Sequence, residues 1–164
     1  MNHQSSIINH HSINCRGKLI DLSTPKIMGI LNLTPDSFSD GGKFNVEKSA
    51  LLQAEKMIKD GADFIDIGAQ STRPNADFLS AKQEILRIGN VISLIKKEFP
   101  ETLISLDTFY ADVVKFGFDE GIDVVNDISG GDFDGNLLKT VAETKLPYIL
   151  MHSNSTYQNM HEKI

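Results

Sequence analysis

The sequence predicts an α/β fold with a parallel sheet, in the form of a TIM (β/α)8 barrel. Short apolar runs alternate along the chain with stretches of helical periodicity, which is typical of successive strand–helix units. The apolar runs are nearly continuous, as expected for buried parallel strands. A polar residue stands at or just after the carboxyl end of nearly every run, and in a barrel these ends meet on one face.

An open, doubly wound sheet remains an alternative, because it shows the same alternation of strands and helices. Its strand ends would line up along an edge and would not converge on one point. No phosphate-binding G-x-G-x-x-G loop follows the first long strand, which also weakens the alternative. About five strand–helix units are visible, whereas a barrel needs eight. The polar residues at the strand ends are Asn32, Ser71, Thr72, Asp107, Asn126 and His152.

Local signals predict the individual elements in order. A small N-terminal hairpin is expected over residues 13–22, with its turn at Arg16-Gly17. A buried strand follows at 27–33, and then a helix at 45–60, which Asn45 caps and Gly61 ends. The later strands are predicted at 64–68, 103–106, 122–125 and 148–151, and the later helices from Ser80, at 111–120 and at 134–144.

The helix that starts near Ser80 has the clearest signals. Ser80 and Gln83 have the spacing of a capping box, in which each side chain bonds the backbone of the other residue. Apolar residues then recur at helical spacing and are expected to face the core. They are Ile85, Ile88, Ile92 and Ile95, so one long helix is predicted before Pro100.

Composition restricts the class of protein. The chain has 164 residues, the length of one domain, and no apolar run approaches the roughly 20 residues that span a bilayer. A net charge of −6 argues against a nucleic-acid surface. The single cysteine, Cys15, excludes an internal disulfide and fits a reducing compartment, so we expect a cytoplasmic protein. Residues 1–12 are expected to be a disordered tail and 13–164 the barrel domain.

The densest group of chemically active residue types follows the first long strand. Residues 28–42 read Met-Gly-Ile-Leu-Asn-Leu-Thr-Pro-Asp-Ser-Phe-Ser-Asp-Gly-Gly, a buried strand that ends in Asn32 and then a loop of hydroxyls and carboxylates. Thr-Pro-Asp-Ser and Asp-Gly-Gly are also ordinary turn chemistry. The whole string nevertheless resembles the first signature of dihydropteroate synthases almost residue for residue, and it is too long for chance to be a good explanation.

A second group follows the second strand, in Gly-Ala-Gln-Ser-Thr-Arg-Pro at residues 68–74. An arginine beside two hydroxyls on a strand-end loop suits a phosphate clamp. In isolation, a surface arginine in a turn would be the better interpretation. The string is similar to the family's Gly-Gly-Glu-Ser-Thr-Arg-Pro-Gly; it departs at Ala69, Gln70 and Asn75 and keeps Ser-Thr-Arg-Pro intact.

Three later strand ends carry the remaining motifs. Asp107, in Ser-Leu-Asp-Thr, is a carboxylate at the mouth of a buried strand, a costly position without a partner, although helix capping is an alternative role. Asn126 opens Asn-Asp-Ile-Ser-Gly-Gly, and its amide suits the edge of a heterocycle, although the string is also turn-rich. Met151-His152 is similar to the family's Met-His-Met. Departures beyond it are Ser153, Ser155 and Tyr157.

The resemblance covers roughly residues 15–151 and implies an enzyme of folate biosynthesis. Members condense 6-hydroxymethyl-7,8-dihydropterin diphosphate with p-aminobenzoate to give 7,8-dihydropteroate and diphosphate. The resemblance implies Mg²⁺ as cofactor, with Asn32 as its ligand on the diphosphate. It implies catalytic roles for Asp107, Asn126 and Arg73. The substrate-binding residues that it implies are Asp36, Phe38, Ser71, Thr72, Asp107, Asn126, Ile128 and Met151.

The family also places substrate groups on later strands, in an Asp-Pro-Gly-Phe-Gly motif, a lysine and an Arg-x-His. Because these would fall beyond Ile164, we expect the front part of a synthase whose isolated chain is inactive or weakly active. The alternative is a short, non-catalytic pterin-binding or interaction fragment. For the longer form the resemblance implies a homodimer. The net charge and the short apolar runs predict no nucleic-acid or membrane partner. Asp66, inside the second strand, is interpreted as structural.

Overall fold

The computed structural model describes residues 11–34, 43–70 and 78–152. It begins with an antiparallel hairpin of β1 (Ser12–Cys15) and β2 (Lys18–Asp21), as predicted. The hairpin turn places both Arg16 and Gly17 at positive φ, and the Asn14 side chain accepts a hydrogen bond of 2.7 Å from the Gly17 N–H. Such an Asx contact stabilises a left-handed turn that a non-glycine residue rarely adopts.

Five parallel strands follow, and their order across the sheet is their order along the chain. A doubly wound sheet would reverse its direction of growth at a switch point, whereas here each strand adds to the edge of its predecessor. The described part of the chain therefore has the strand arrangement of a barrel wall, as predicted. The strands are β3 (Met28–Asn32), β4 (Phe64–Gly68), β5 (Leu103–Asp107), β6 (Val124–Asp127) and β7 (Tyr148–Leu150).

Helices connect the strands and cover one side of the sheet. They are α1 (Lys43–Lys59), α2 (Ala81–Ile88), α3 (Val91–Glu98), α4 (Ala111–Glu120) and α5 (Leu137–Thr144). In the described part of the chain, no helix is both long and apolar enough to cross a membrane.

The long helix predicted from Ser80 is in fact two helices. Its capping box is present, with the Ser80 N–H donating to Gln83 Oε1 at 2.9 Å. Gly89 then adopts φ +52° and ψ −127°, a conformation open to glycine, and ends α2. The predicted inward residues Ile88, Ile92 and Ile95 are nonetheless fully buried, because α3 resumes with its apolar face toward the same core.

Several other boundaries differ from the prediction by one to three residues: helix α1, for example, begins at Lys43 and not at the predicted cap Asn45. Two of the differences have a clear cause, because a hydrogen bond to the backbone delays the start of the element. The Ile122 N–H donates to Gly117 O at the end of α4, so β6 begins at Val124 and not at 122. Asp134 accepts from the N–H groups of Asn136 and Ala111, which places it in a turn ahead of α5. Helix α5 therefore begins three residues later than predicted.

The hydrophobic core has two parts. The larger lies between the sheet and the helices and includes Leu31, Ile67, Ile104, Leu106 and Val125 among its fully buried residues. The smaller lies under the hairpin, where Cys15 packs with residues near the amino ends of three strands. They are Phe64 of β4, Leu103 of β5 and Val124 of β6. The hairpin thus covers the amino ends of the strands and leaves their carboxyl ends for a site.

Candidate ligand-binding site at the carboxyl ends of the strands

The strand register brings the predicted site residues into one layer. Asn32 pairs with Gly68, Gly68 with Asp107, and Asp107 with Asn126. Residues in register on parallel strands project to the same face of a sheet. One face at the carboxyl ends therefore carries the side chains of Asn32, Asp107 and Asn126. At least one helix separates each of these residues from the next along the chain.

Glycine at position 68 leaves a gap within this layer. A Cβ atom there would lie 3.3 Å from Asp107 Oδ2 and 3.6 Å from Asn32 Oδ1. The carboxylate of Asp107 and the amide oxygen of Asn32 thus flank the same empty space. A side chain at position 68 would fill that space, whereas glycine keeps it open to a ligand.

Asp107 supplies the carboxyl group of this layer, and its pKa is strongly raised. Burial, followed by the negative charges of Asp66, Glu84 and Asp127, raises its pKa from 3.8 to about 7. At neutral pH the Asp107 carboxyl is therefore divided between its protonated and ionised forms. It can donate a hydrogen bond in the first form and balance a positive charge in the second.

Asn126 is held in one orientation by Asp66. Its Nδ2 atom donates a hydrogen bond of 3.1 Å to Asp66 Oδ2. Asp66 is only 5% exposed and pairs in register with Ser105, one layer below Asp107. Asp66, which was interpreted from the sequence as structural, thus makes an interior hydrogen bond. Sequence reasoning did not connect Asp66 with Asn126, because every residue of β4 is buried and the strand shows no alternation.

The loop after β6 is organised by Asp127. Its carboxylate accepts hydrogen bonds from the N–H groups of Ser129 and Gly131, both 2.7 Å long, and from the Tyr148 hydroxyl at 2.5 Å. Burial and this bond raise the pKa of Tyr148, so the hydroxyl stays a donor. These contacts fix the backbone around Ile128. Asp127 is the second residue of the Asn-Asp motif, and its role was not predicted from the sequence.

Met151 lies beside this loop. Its N–H donates to Asp127 O at 3.1 Å, and a Cβ atom on Gly130 would lie 3.1 Å from Met151 O. The structure thus brings the two predicted wall residues, Ile128 and Met151, to the same end of the sheet. His152, which follows, is exposed.

The other predicted site residues lie outside the described residues: Asp36, Phe38, Ser71, Thr72 and Arg73. The flanks of the second motif are described. The Gln70 amide donates 3.0 Å to Leu79 O and 2.7 Å to Glu84 Oε2, and the Leu79 N–H donates 3.1 Å to Gln70 Oε1. Gln70, noted in the sequence only as a departure from the family pattern, therefore hydrogen-bonds the backbone of Leu79 on both its N–H and its carbonyl.

Glu84 is the buried partner in that contact. It is fully buried on α2, and burial raises the pKa of its carboxyl. An amide at position 70 can donate to this carboxylate, whereas a glutamate there would place two acidic groups together. The Gln70 departure is thus compatible with a buried glutamate at position 84.

The fold and these contacts define a class of protein: a parallel α/β barrel wall with a candidate small-molecule site at the carboxyl ends of its strands. Residues 28–164 match the family described as pterin binding enzyme, and the chain belongs to that family. The family and the barrel-type fold predicted from the sequence are thereby confirmed.

Named relatives agree with this assignment. The chain is 47% identical over 149 residues to the mitochondrial folate synthesis bifunctional protein of Arabidopsis thaliana, covering 89% of this chain and 27% of that protein. It is 42% identical over 150 residues to the dihydropteroate synthase of Streptococcus pyogenes serotype M1, covering 90% of this chain and 56% of the relative. The chain therefore spans about a quarter of the length of the first relative and little more than half of the second.

Solved structures are similar to the same extent. The dihydropteroate synthase of Yersinia pestis, in complex with a sulfonamide drug, has a TM-score of 0.81 at 40% identity, over 93% of this chain and 55% of that one. The Xanthomonas albilineans enzyme with 4-aminobenzoic acid has a TM-score of 0.80 at 33% identity, over 88% of this chain and 52% of that one.

Proposed function

We propose that this chain forms the pterin-binding part of a dihydropteroate synthase. The observation that carries the proposal is the layer of Asn32, Gly68, Asp107 and Asn126 at the carboxyl ends of the strands. This layer offers an open gap, a titrating carboxyl and an oriented amide. The names of the relatives support the proposal, since one is a dihydropteroate synthase. Two similar solved structures of synthases contain 4-aminobenzoic acid or 7,8-dihydropteroate.

The proposed reaction breaks a C–O bond and forms a C–N bond. Departure of diphosphate from the methylene group of the pterin leaves a cation that the ring delocalises. The amine of p-aminobenzoate attacks this carbon and then loses a proton. Ionised Asp107 would favour the positive charge on the ring, and Asn126 would hold the ring edge. Ile128 and Met151 would form apolar walls that position the ring.

Asn32 fits the proposed magnesium site. Its side chain is exposed at the end of β3, and its amide oxygen flanks the Gly68 gap. Mg²⁺ commonly takes few protein ligands and fills its shell with water and substrate phosphates, and the amide oxygen of Asn32 would be one of these few protein ligands. When bound there, Mg²⁺ would supply charge neutralisation for the leaving diphosphate.

The roles proposed for the remaining residues, on two loops, rest on the sequence resemblance alone. Ser71 and Thr72 would contact the diphosphate region, and Arg73 would help that loop close. Asp36 and Phe38 would close over p-aminobenzoate and exclude water, which is a competing nucleophile. For the longer form we propose a homodimer, and the reducing compartment expected from Cys15 supports a cytoplasmic location.

Titration calorimetry of the 164-residue chain with 6-hydroxymethyl-7,8-dihydropterin diphosphate and Mg²⁺ tests the proposal. We expect saturable binding that Asn126→Ala weakens by about tenfold or more, because the variant removes the oriented amide. Asp112→Ala, which changes an exposed residue on α4, is the matched control and is expected to bind like the wild type. Absence of binding, or equal binding by wild type and Asn126→Ala, would overturn the proposal.

The second candidate function is pterin binding without turnover. The layer of Asn32, Asp107 and Asn126 carries this candidate as well, because it can hold a ring without a reaction following. Measuring dihydropteroate formation beside binding separates the candidates: binding with turnover supports the synthase, and binding without turnover supports the non-catalytic fragment.

A further inference from the structure

Helix α2 holds the two residues that follow β4 through two side chains one helical turn apart. Arg87 Nη1 donates to Ala69 O at 2.8 Å, and Glu84 Oε2 accepts from Gln70 Nε2 at 2.7 Å. Glu84 is 0% exposed and Gln70 is 8% exposed, so the contact between them is shielded from water. Residues 69 and 70 therefore have a fixed position relative to α2.

The Gln70 side chain also joins residue 70 to residue 79. Its Oε1 atom accepts from the Leu79 N–H at 3.1 Å, and its Nε2 atom donates to Leu79 O at 3.0 Å. The Tyr110 hydroxyl donates to the same carbonyl oxygen at 2.8 Å. The Gln70 amide thus uses both of its N–H donors and its oxygen. We call the contacts of Gln70 with Glu84 and Leu79 the clamp.

The amide at position 70 suits a carboxyl partner in either protonation state. Burial raises the pKa of the Glu84 carboxyl, and the side chains of Thr108, Gln70 and Arg87 lower it. Ionisable groups that interact with Glu84 lie on or beside α2, β5 and α4: Arg87, Asp107 and Tyr110. An amide N–H can donate to a carboxyl oxygen whether or not the carboxyl holds a proton. The clamp therefore does not depend on the charge of Glu84.

A glutamate at position 70, the residue of the family pattern, would behave differently. Two buried carboxyls side by side do not both ionise readily, so at low pH they would share a proton. Loss of that proton at higher pH would leave two negative charges in contact and no donor toward Glu84. Gln70 removes this sensitivity to pH.

We propose that Gln70 and Glu84 are positioning residues, which hold together the two ends of the segment that carries Ser71 and Thr72 and do so independently of pH. This inference rests on the proposed function, in which Ser71 and Thr72 contact the diphosphate. The clamp acts through the backbone at residues 70 and 79 and touches no ligand itself. It should therefore affect binding of the diphosphate and not binding of the pterin ring.

The test compares two ligands of the 164-residue chain by calorimetry with Mg²⁺: 6-hydroxymethyl-7,8-dihydropterin and its diphosphate. The gain in affinity that the diphosphate brings is the ratio of the two dissociation constants, and it cancels a general loss of folded protein. Gln70→Leu removes the donors and the acceptor of the clamp. We expect this gain to fall by about tenfold at about pH 6 and at about pH 8, with affinity for the diphosphate-free pterin within about twofold of the wild type.

Gln70→Glu tests the dependence on pH and changes the side chain least. Compared with the wild type at the same pH, its diphosphate gain should be little changed at about pH 6, where the two carboxyls share a proton, and about tenfold lower at about pH 8. Gln53→Glu, the same change at an exposed residue of α1, is the matched control and should follow the wild type at both pH values. A purely structural role of Gln70 would not produce a loss that depends on both the diphosphate and the pH.

Four results would overturn the inference. They are an unchanged gain in Gln70→Leu, an equal loss of both ligands in that variant, a gain in Gln70→Glu that follows the wild type at both pH values, and a wild type that binds the two pterins equally. If the wild type binds the pterins while the inference fails, the proposed pterin-binding function still stands. If the wild type binds neither pterin, both proposals fail.

Discussion

The two ends of the five-stranded sheet bury carboxylates in opposite ways. At the amino ends, one Asp123 oxygen accepts hydrogen bonds from Lys96 Nζ and from the Ile104 N–H. At the carboxyl ends, one Asp66 oxygen accepts from Asn126 and the other has no partner among the described residues, and acidic neighbours surround Asp107. The first arrangement is a balanced ion pair under a hairpin, and the second concentrates negative charge and unpaired acceptors. The comparison indicates a stabilising end and a ligand-binding end.

The largest expected effect concerns the amino end. Asp123→Ala leaves Lys96, whose side chain is 22% exposed, without its partner and removes the acceptor of the Ile104 N–H. Breaking a buried pair costs about 3–5 kcal/mol, and partial exposure of Lys96 places this one toward the lower value. Urea unfolding would measure the loss. A change below about 1 kcal/mol would remove the distinction between the two ends.

The second prediction concerns pH and the carboxyl end. The pKa of Asp107 rises from 3.8 to about 7 on folding, so the folded chain binds this proton more tightly than the unfolded chain. Its contribution to stability is therefore fully present below the unfolded pKa and is lost as pH rises through the folded pKa. Urea unfolding between pH 4 and pH 8 should show this decline in the wild type and a weaker one in Asp107→Asn. Equal slopes would contradict the assignment.

The third prediction uses the gap at position 68. In Gly68→Ala the added methyl group lies 3.3 Å from Asp107 Oδ2, inside the space that the ligand would use. We expect pterin affinity to fall by about tenfold with a stability change below about 1 kcal/mol. Gly135→Ala, where a Cβ atom meets nothing within 4 Å, is the control and should leave both properties unchanged. Unaltered affinity in Gly68→Ala would show that the gap is not used.

The smallest expected effect concerns Cys15 beneath the hairpin. Burial, and then the charge of Asp123, raises the pKa of this thiol to about 11, and the side chain is 2% exposed. The thiol should therefore react with Ellman's reagent only when the chain opens. Labelling rates with and without urea measure this. Rapid labelling of the native protein would mean that the hairpin does not cover the amino ends.

Much of the fold was predictable because its signals are local. The bounds of β4 and α4 agree with the prediction, since apolar runs and a glycine stop mark them. The break at Gly89 was missed because Ile88 and Ile92 keep helical spacing across it. A short interruption that preserves the phase of the apolar face leaves no trace in that pattern.

The site was predictable only in its upper layer. Asp107 and Asn126 stand at strand ends, where the barrel rule brings residues together. Asp66, in contrast, is a strand residue among buried neighbours, and its bond to Asn126 spans 60 positions of sequence. Gln70 was visible only as a departure from the family pattern, and its partner Glu84 lies on a separate helix. Such contacts depend on register and packing, which motifs do not encode.

The identity of spatial and chain order in the sheet has a consequence for synthesis on the ribosome. Each strand that emerges finds its neighbour already made, so β4 can add to β3, then β5 to β4, without waiting for a distant segment. Each pairing spans one strand–helix unit of the chain, as in Met28 with Phe64, so no strand depends on a segment that is made much later. The ligand layer is assembled in the same succession, from Asn32 to Asn126. A nascent chain therefore gains its binding groups one unit at a time, in the order of translation.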